Sequence, residues 1–214
     1  CEVNHTCTKM REKLLIYGAG GLTMQLFASL NFEFDNKFDY VIYDGINRPF
    51  KFLGKYLTYN VIPKDCNKFC LCISGTEQRQ LITSELLFKG LNPIIYSAVE
   101  TPEQFIKLKG NNLILQQCVI EPNVEIGFGT MINVNNNIFH GCKIGSFCEI
   151  CPSCNILGDV KIGSLTFIGA NTTILPKVEI GKNCIIGANS LVNKNIPDNY
   201  KAYGSPIKLI SKLI

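Results

Sequence analysis

An aliphatic residue recurs at every sixth position from Ile114 to Val192, and this period is the strongest constraint that the sequence places on its fold. Thirteen of these fourteen residues are isoleucine. An α-helix repeats every 3.6 residues and an amphipathic strand every two, so neither explains a period of six. Short strands joined by tight corners do explain it, with three hexads forming each coil of a triangular prism. We therefore predict a parallel β-helix with a short tail over residues 111–214.

The residue that follows the aliphatic position is frequently glycine. Glycine stands there in six hexads, as Gly127, Gly145, Gly163, Gly169, Gly181 and Gly187. Because glycine adopts positive φ angles at little cost, we expect the turn of each hexad to lie at this position.

A small residue occupies the position four residues after the aliphatic one, and it includes Cys142, Cys148, Cys154 and Cys184. Thr and Val stand at the same position in other hexads, so these cysteines are interpreted as small buried hydrophobes. Cys148, Cys151 and Cys154 imitate the spacing of a metal site. Cys151, however, takes the glycine position and is expected to point elsewhere, so we predict no metal.

The N-terminal half has a different pattern, which is typical of a Rossmann-like α/β domain over residues 13–110. A predicted strand at 14–17 is followed by Gly18, Ala19, Gly20 and Gly21 and by a helical stretch at 22–30. Predicted strands at 40–43 and 69–74 end at Asp44 and at Ser74-Gly75, and a helix is expected around 77–87. The glycines allow a phosphate to approach the helix N-terminus, and Asp44 is placed to accept a ribose hydroxyl. Thr23 stands where a dinucleotide fingerprint has its third glycine, which favours a smaller nucleotide over NAD.

Composition narrows the function classes. The net charge of +4 is spread along the chain, without the basic, aromatic-rich stripe of a nucleic-acid-binding surface. No apolar run reaches the length of a membrane span, and residues 1–12 lack the apolar core of a signal peptide, so we expect a disordered or cloning-derived leader. A cytoplasmic location follows from this, with the eleven cysteines as thiols.

The combination of both halves resembles the sialic-acid O-acetyltransferase-like family, which includes nucleotide-amino-sugar N-acetyltransferases. The matching stretches include Tyr17 to Gly21, Phe139 to Gly145, Leu157 to Val160 and the tail from Tyr203 to Lys208. The resemblance implies a left-handed β-helix, a homotrimer, acetyl-CoA as co-substrate and a nucleotide-linked amino sugar as acceptor. Transfer would be direct, from the thioester to the amine.

The resemblance also implies roles for individual residues. His140 is the one histidine outside the leader and takes the position of the general base, which an attacking amine requires. Asn133 would position the sugar or the base, and the N–H of Gly158 would polarise the thioester carbonyl. Gly187, Pro206 and Lys208 would border the acetyl-CoA site. The nucleotide sugar would bind at Gly18, Ala19, Gly20, Gly21, Asp44, Ser74 and Gly75.

One departure leaves alternatives open. The family usually has an acid directly after the catalytic histidine, where this chain has Gly141. We expect Glu149 to supply the missing carboxylate. O-acetylation of a sialic-acid-like sugar is the nearest alternative activity, and a catalytically inactive protein that binds nucleotide sugars is the alternative from another class.

Overall fold

A computed structural model of the chain describes residues 11–30, 37–44, 51–52, 55–56, 61–99 and 105–213. Residues 1–10, with most of the predicted leader and His5, lie outside the described residues. Within the described ranges, no helix is both long enough and apolar enough to cross a bilayer.

The N-terminal domain is built on a parallel four-stranded sheet of order β2-β1-β5-β6. Its elements are β1 (Glu12–Tyr17), α1 (Gly21–Ser29), β2 (Phe38–Tyr43), the short pair β3 (Lys51–Phe52) and β4 (Lys55–Tyr56), β5 (Cys66–Leu71), α2 (Thr76–Phe88) and β6 (Asn92–Pro93). Leu14, Leu15 and Ile16 of β1 are all fully buried, as expected for a parallel strand covered on both faces. The Rossmann-like fold predicted for this half is confirmed.

The C-terminal domain consists of three sheets whose strands are almost all parallel and mostly two residues long. One sheet contains Val119–Ile120, Asn137–Ile138, Asn155–Ile156, Thr173–Ile174 and Leu191–Val192. The second contains Ile106–Leu108, Val124–Ile126, Lys143–Ile144, Lys161–Ile162 and Glu179–Ile180. The third contains Tyr96–Ser97, Leu113–Ile114, Met131–Ile132, Glu149–Ile150, Phe167–Ile168, Ile185–Ile186, Tyr200–Tyr203 and the antiparallel strand Lys208–Lys212.

Each strand pairs with the equivalent strand one coil away, as in the register of Ile138 with Ile156. The aliphatic residue of every hexad is buried, from Ile114 at 1% exposure to Val192 at 0%. The small position points to the same core, where Cys142, Cys148, Cys154 and Cys184 are fully buried. The predicted period, its inward face and the packing role of these cysteines are confirmed.

The predicted location of the turn residue is wrong. The left-handed backbone lies three residues after the aliphatic position, as at Asn135 (φ 60°) and Ser153 (φ 63°), whereas none of the six glycines has a positive φ. These glycines are needed for a different reason: a Cβ at Gly145 would lie 2.7 Å from the Cα of Ser164 in the next coil. Glycine therefore allows successive coils to stack closely at the corners.

The β-helical sheets begin before residue 111, the boundary expected from the sequence. Strand Tyr96–Ser97 pairs with Leu113–Ile114, and Ile106–Leu108 pairs with Val124–Ile126. Leu113, Leu115 and Met131 on the outside of the third sheet are buried in one apolar cluster with β1 and α1. The N-terminal domain is thus seated on this face of the prism.

Candidate active site

His140 lies at the corner that follows strand Asn137–Ile138, and it pairs with Glu121 from the preceding coil. The carboxylate Oε2 of Glu121 lies 2.9 Å from the His140 ring Nδ1 and accepts the backbone N–H of His140 at the same distance. These hydrogen bonds lower the pKa of the Glu121 carboxyl from its ordinary value. The side chain of His140 is 65% exposed, so the ring is accessible from outside the prism.

The carboxylate fixes the tautomer of the histidine. A carboxylate can only accept, so Nδ1 carries the proton and Nε2 keeps a lone pair, as a general base requires. The Nε2 edge of the ring packs over Gly158, one coil further on, where a Cβ would lie 2.7 Å from Nε2. A larger residue at 158 would therefore displace the ring.

The backbone N–H of Gly158 is available to a ligand. At the same position of other hexads, Glu121 caps the N–H of His140, and the hydroxyl of Ser164 caps that of Ser146. In the described part of the chain, the N–H of Gly158 has no such partner. A proton acceptor and a free backbone donor thus lie beside one another at this corner.

Gly141, which follows His140, lies beside Asp159 of the next coil. Gly141 adopts a left-handed backbone with φ 69°, and a Cβ there would collide with the carboxylate oxygen Oδ1 of Asp159 in the next coil. Asp159 therefore occupies the space into which a side chain at 141 would extend.

The expectation that Glu149 orients His140 is wrong. Glu149 is 3% exposed, and its Oε2 accepts the backbone N–H of Gly75 at 2.7 Å, in the contact between the two domains. Glu121 takes the expected place, because the 18-residue coil sets residue 121 directly below residue 139. The coil length of 18 residues is the sequence signal for this contact, because it pairs Ile120 with Ile138 and so brings Glu121 beside the residues that follow Ile138.

Asn133 lies at the preceding corner of the same coil. Its side-chain oxygen accepts the backbone N–H of Val134, and its backbone carbonyl accepts from Asn136. The structure therefore shows Asn133 shaping its own corner.

A cleft of about 570 Å³ at the carboxyl ends of β1, β2 and β5 brings most of the predicted nucleotide-sugar residues together. Its lining includes Gly18, Ala19, Gly20, Gly21, Asp44 and Ser74. Gly18 has φ 123°, and a Cβ there would collide with the carbonyl of Cys72. Thr23, which replaces the third glycine of the dinucleotide pattern, is fully buried and donates its hydroxyl to the Gly18 carbonyl at 2.7 Å. Thr23 thus holds the glycine turn in place.

Apart from Gly158, the residues predicted to border acetyl-CoA lie in two separate places. Gly187 is at another corner, where a Cβ would lie 2.6 Å from the Cβ of Tyr203. Pro206 lies in the turn before the last strand, and Lys208 begins that strand as an exposed residue. A separate groove of about 620 Å³ runs along the second sheet and contains none of the predicted site residues. Its lysines face glutamates, as in the pair of Lys161 with Glu179 at 2.7 Å.

The cysteines do not form a ligand set. Among the described residues, no three His, Cys, Asp or Glu side chains converge as a metal site would require. The thiol Sγ of Cys154 donates to the carbonyls of Cys151 and Gly169 at 3.2 Å, which is the behaviour of a packed thiol.

The repeat matches a known protein family, and the fold matches known structures. Residues 141–175 and 159–194 match the family "Bacterial transferase hexapeptide (six repeats)". No curated protein matches the chain in sequence.

Several solved structures are similar over nearly the whole chain. PerB from Caulobacter crescentus, solved in complex with CoA and GDP-perosamine, is 22% identical with a TM-score of 0.82, and the match covers 93% of this chain and 97% of that one. The acetyltransferase domain of PglB from Neisseria gonorrhoeae, solved with acetyl coenzyme A, is 18% identical with a TM-score of 0.82, covering 94% and 100%. WeeI from Acinetobacter baumannii is 20% identical with a TM-score of 0.76, covering 92% and 99%.

These matches confirm the predicted fold class, a Rossmann-like domain followed by a left-handed parallel β-helix. The chain thus carries the hexapeptide repeat of bacterial transferases and shares the two-domain fold of sugar acetyltransferases.

Proposed function

We propose that this chain is an acetyl-CoA-dependent N-acetyltransferase that acts on the amino group of a nucleotide-linked amino sugar, with the 4-amine as the expected position. The observation that carries the proposal is the corner where Nε2 of His140 lies over Gly158, whose backbone N–H has no partner among the described residues. A base and an oxyanion donor at one point are what acyl transfer to an amine requires.

The reaction would proceed in one direct transfer. The amine nitrogen attacks the thioester carbonyl carbon, and Nε2 of His140 takes its proton as the C–N bond forms. The developing negative charge on the carbonyl oxygen is stabilised by the N–H of Gly158. The C–S bond then breaks, and the proton passes from the imidazolium to the thiolate of CoA. Glu121 stabilises the imidazolium through Nδ1.

The N-terminal cleft supports a nucleotide-linked acceptor. Its glycine turn leads into the N-terminus of α1, and a helix N-terminus favours phosphate oxygens. Asp44 also lines this cleft, directly after β2, where it would accept hydrogen bonds from ribose hydroxyls. The similar proteins solved with GDP-perosamine and CoA favour the same pair of substrates.

We further propose a homotrimer in the cytoplasm, in which acetyl-CoA lies between neighbouring β-helices and meets Gly187, Pro206 and Lys208. Exposure of His140 in the single chain is consistent with a site that a second subunit completes. Sedimentation should give the trimer mass. A stable monomer with full activity would contradict the shared site.

The direct test is release of free CoA thiol from acetyl-CoA with a panel of UDP-, dTDP- and GDP-linked amino sugars. We expect one member of the panel to react and its hydroxyl counterpart to remain unmodified. Acetylation of the hydroxyl counterpart would instead favour O-acetyl transfer. Binding without thiol release across the panel would contradict an enzymatic role.

The base assignment has its own test. Replacing His140 with Ala or Asn should lower kcat by about 10²- to 10⁴-fold, the usual contribution of a general base. The affinity for acetyl-CoA, measured by calorimetry, should stay close to that of the parent chain. Activity within a few-fold of the parent would show that another group takes the proton.

A further inference from the structure

Two charged side chains are buried where the N-terminal domain meets the β-helix. Arg79, in α2, is fully buried, and Glu149, in the third sheet of the β-helix, is 3% exposed. Burying charged groups is unfavourable unless they are paired and hydrogen-bonded. Each of the two must therefore have compensating contacts in this interface.

Arg79 binds both domains at once. Its Nη2 donates to the carbonyl of Gly129 at 2.8 Å, in a corner of the β-helix, and Nη1 donates to the carbonyl of Ile73 at 3.0 Å. Ile73 lies between β5 and α2 and lines the nucleotide cleft. One planar guanidinium therefore joins the rim of that cleft to the prism.

Glu149 makes the reciprocal contact from the β-helix. Its Oε2 accepts the backbone N–H of Gly75 at 2.7 Å. Gly75 has φ 97° and precedes the first turn of α2, so the carboxylate also lies at the positive end of a helix. Met131 and Phe167 occupy the equivalent positions in the neighbouring coils. The carboxylate thus has an apolar side chain on either side of it in the column.

Glu149 also acts on the ionisation of Arg79. Burial lowers the pKa of the Arg79 guanidinium from its ordinary value, and the negative charge of Glu149 raises it. Removing one partner would leave the other as an uncompensated buried charge.

We propose that Arg79 and Glu149 form an interdomain latch that fixes the segment 73–75 and thereby positions the acceptor sugar relative to His140. The kinetic part of this inference rests on the function proposed above. Both are positioning residues, since neither is placed to touch the reacting atoms. A rigid link is needed because the acceptor is held by one domain and the base stands on the other.

The first test does not depend on what the protein transfers. Hydrogen exchange should show faster exchange of the amide of Gly75 and of the first turn of α2 in Glu149→Ala than in the parent chain. Amides within the coils at residues 155–192 should keep their protection. Unchanged exchange at Gly75 would overturn the latch.

The second test separates positioning from general damage. In Glu149→Ala, kcat/KM for the nucleotide amino sugar should fall by roughly ten-fold or more, because displacement by about 1 Å can cost 10²-fold. The KM for acetyl-CoA should stay within about two-fold. Glu149→Gln keeps an acceptor oxygen for Gly75 and should recover part of the loss. Arg79→Lys keeps the charge but lacks the fork that reaches Ile73 and Gly129, so it should resemble Glu149→Ala.

A matched control is available on the second sheet. Glu179→Gln removes the same charge from an exposed ion pair with Lys161 and should leave exchange at Gly75 and all kinetic constants unchanged. If Glu149→Gln raised the KM for acetyl-CoA as much as the KM for the amino sugar, the pair would only support folding. If the parent chain releases no thiol with any sugar, the proposed function fails, while the exchange experiment still decides the latch.

Discussion

At the corner that carries His140, the neighbouring side chains and glycines each make or allow a specific contact. Glu121 holds Nδ1, Gly158 leaves room for the ring, and Gly141 leaves room for Asp159. The histidine could be identified from the sequence because it stands alone outside the leader and falls at an outward position of its hexad. Its carboxylate partner was missed because the contact depends on stacking between coils, which the local sequence around His140 does not display.

Replacing Glu121 with Ala should lower kcat by up to about 10²-fold, since the ring then loses the contact that orients it. Glu121→Gln should lie between this variant and the parent, because the amide oxygen still accepts from Nδ1 but no longer stabilises the imidazolium. Steady-state thiol release measures both. Glu125→Gln is the control, because this half-buried glutamate pairs with Lys107 and not with His140. An unchanged kcat in Glu121→Ala would contradict the orienting role of this carboxylate.

The ionisation of Glu121 sets the pH range over which this contact persists. Hydrogen bonds from His140 lower the pKa of the carboxyl, so its contribution is present above the ordinary glutamate range and is lost as the pH falls through the lowered value. The orientation of the ring is thus maintained throughout the neutral range.

At the scale of the coil, the period of six was sufficient to predict the strands, the buried columns and the packing of the cysteines. The turn was misplaced because glycine has two uses that a single sequence cannot separate: tolerance of positive φ and absence of a Cβ. The left-handed position is instead filled by residues such as Phe147 and Leu165. Asn, Asp or Gly holds most of the other left-handed positions, as at Asn135, Gly141 and Asp159, so residue type and the stacking of the coils together favour that conformation.

This distinction can be tested at Gly145. Gly145→Ala should destabilise the protein by about 1–3 kcal/mol, because its Cβ would press on the backbone of Ser164 and neither coil can move away. Denaturant unfolding gives the change in the free energy of unfolding. Gly158→Ala is the control for stability, since its Cβ would meet only the exposed ring of His140. Equal stability of Gly145→Ala and the parent would contradict close stacking as the reason for this glycine.

The buried thiols predict a response to alkaline pH. Burial raises the pKa of Cys148 from 9.0 to about 11. A thiol whose pKa is higher in the folded state favours folding at low pH, and this contribution is lost as the pH rises through the folded value. The thermal midpoint should therefore fall between about pH 9 and pH 11, and less steeply in Cys148→Val, a residue that the chain uses at Val124 and Val160. An identical pH profile for both proteins would contradict this account.

At the scale of the whole molecule, the two domains share an apolar interface in addition to the polar contacts of Arg79 and Glu149. Leu113, Leu115 and Met131 pack in one cluster with Leu14 and Leu26. Both domains were predictable from local patterns, whereas their contact was not, because it joins residues far apart in the sequence, such as Gly75 and Glu149, which are 74 positions apart. Apolar residues occur at the outward position of a hexad both where the N-terminal domain covers it and where it is exposed to solvent. The sequence has no period that separates these two cases.

Met131→Lys tests whether this interface joins the domains into one cooperative unit. The same outward position holds Lys143 and Lys161 in the second sheet, so a lysine is compatible with the coil itself. At Met131, which is fully buried, it would remove about 1.5–3 kcal/mol of apolar burial and place a charge between the domains. We expect calorimetry to show the N-terminal domain melting separately and earlier than the β-helix. Ile185→Lys, at an exposed outward position of the same sheet, should keep the transition of the parent. A single transition at the parent temperature in Met131→Lys would show that the polar contacts alone hold the domains together.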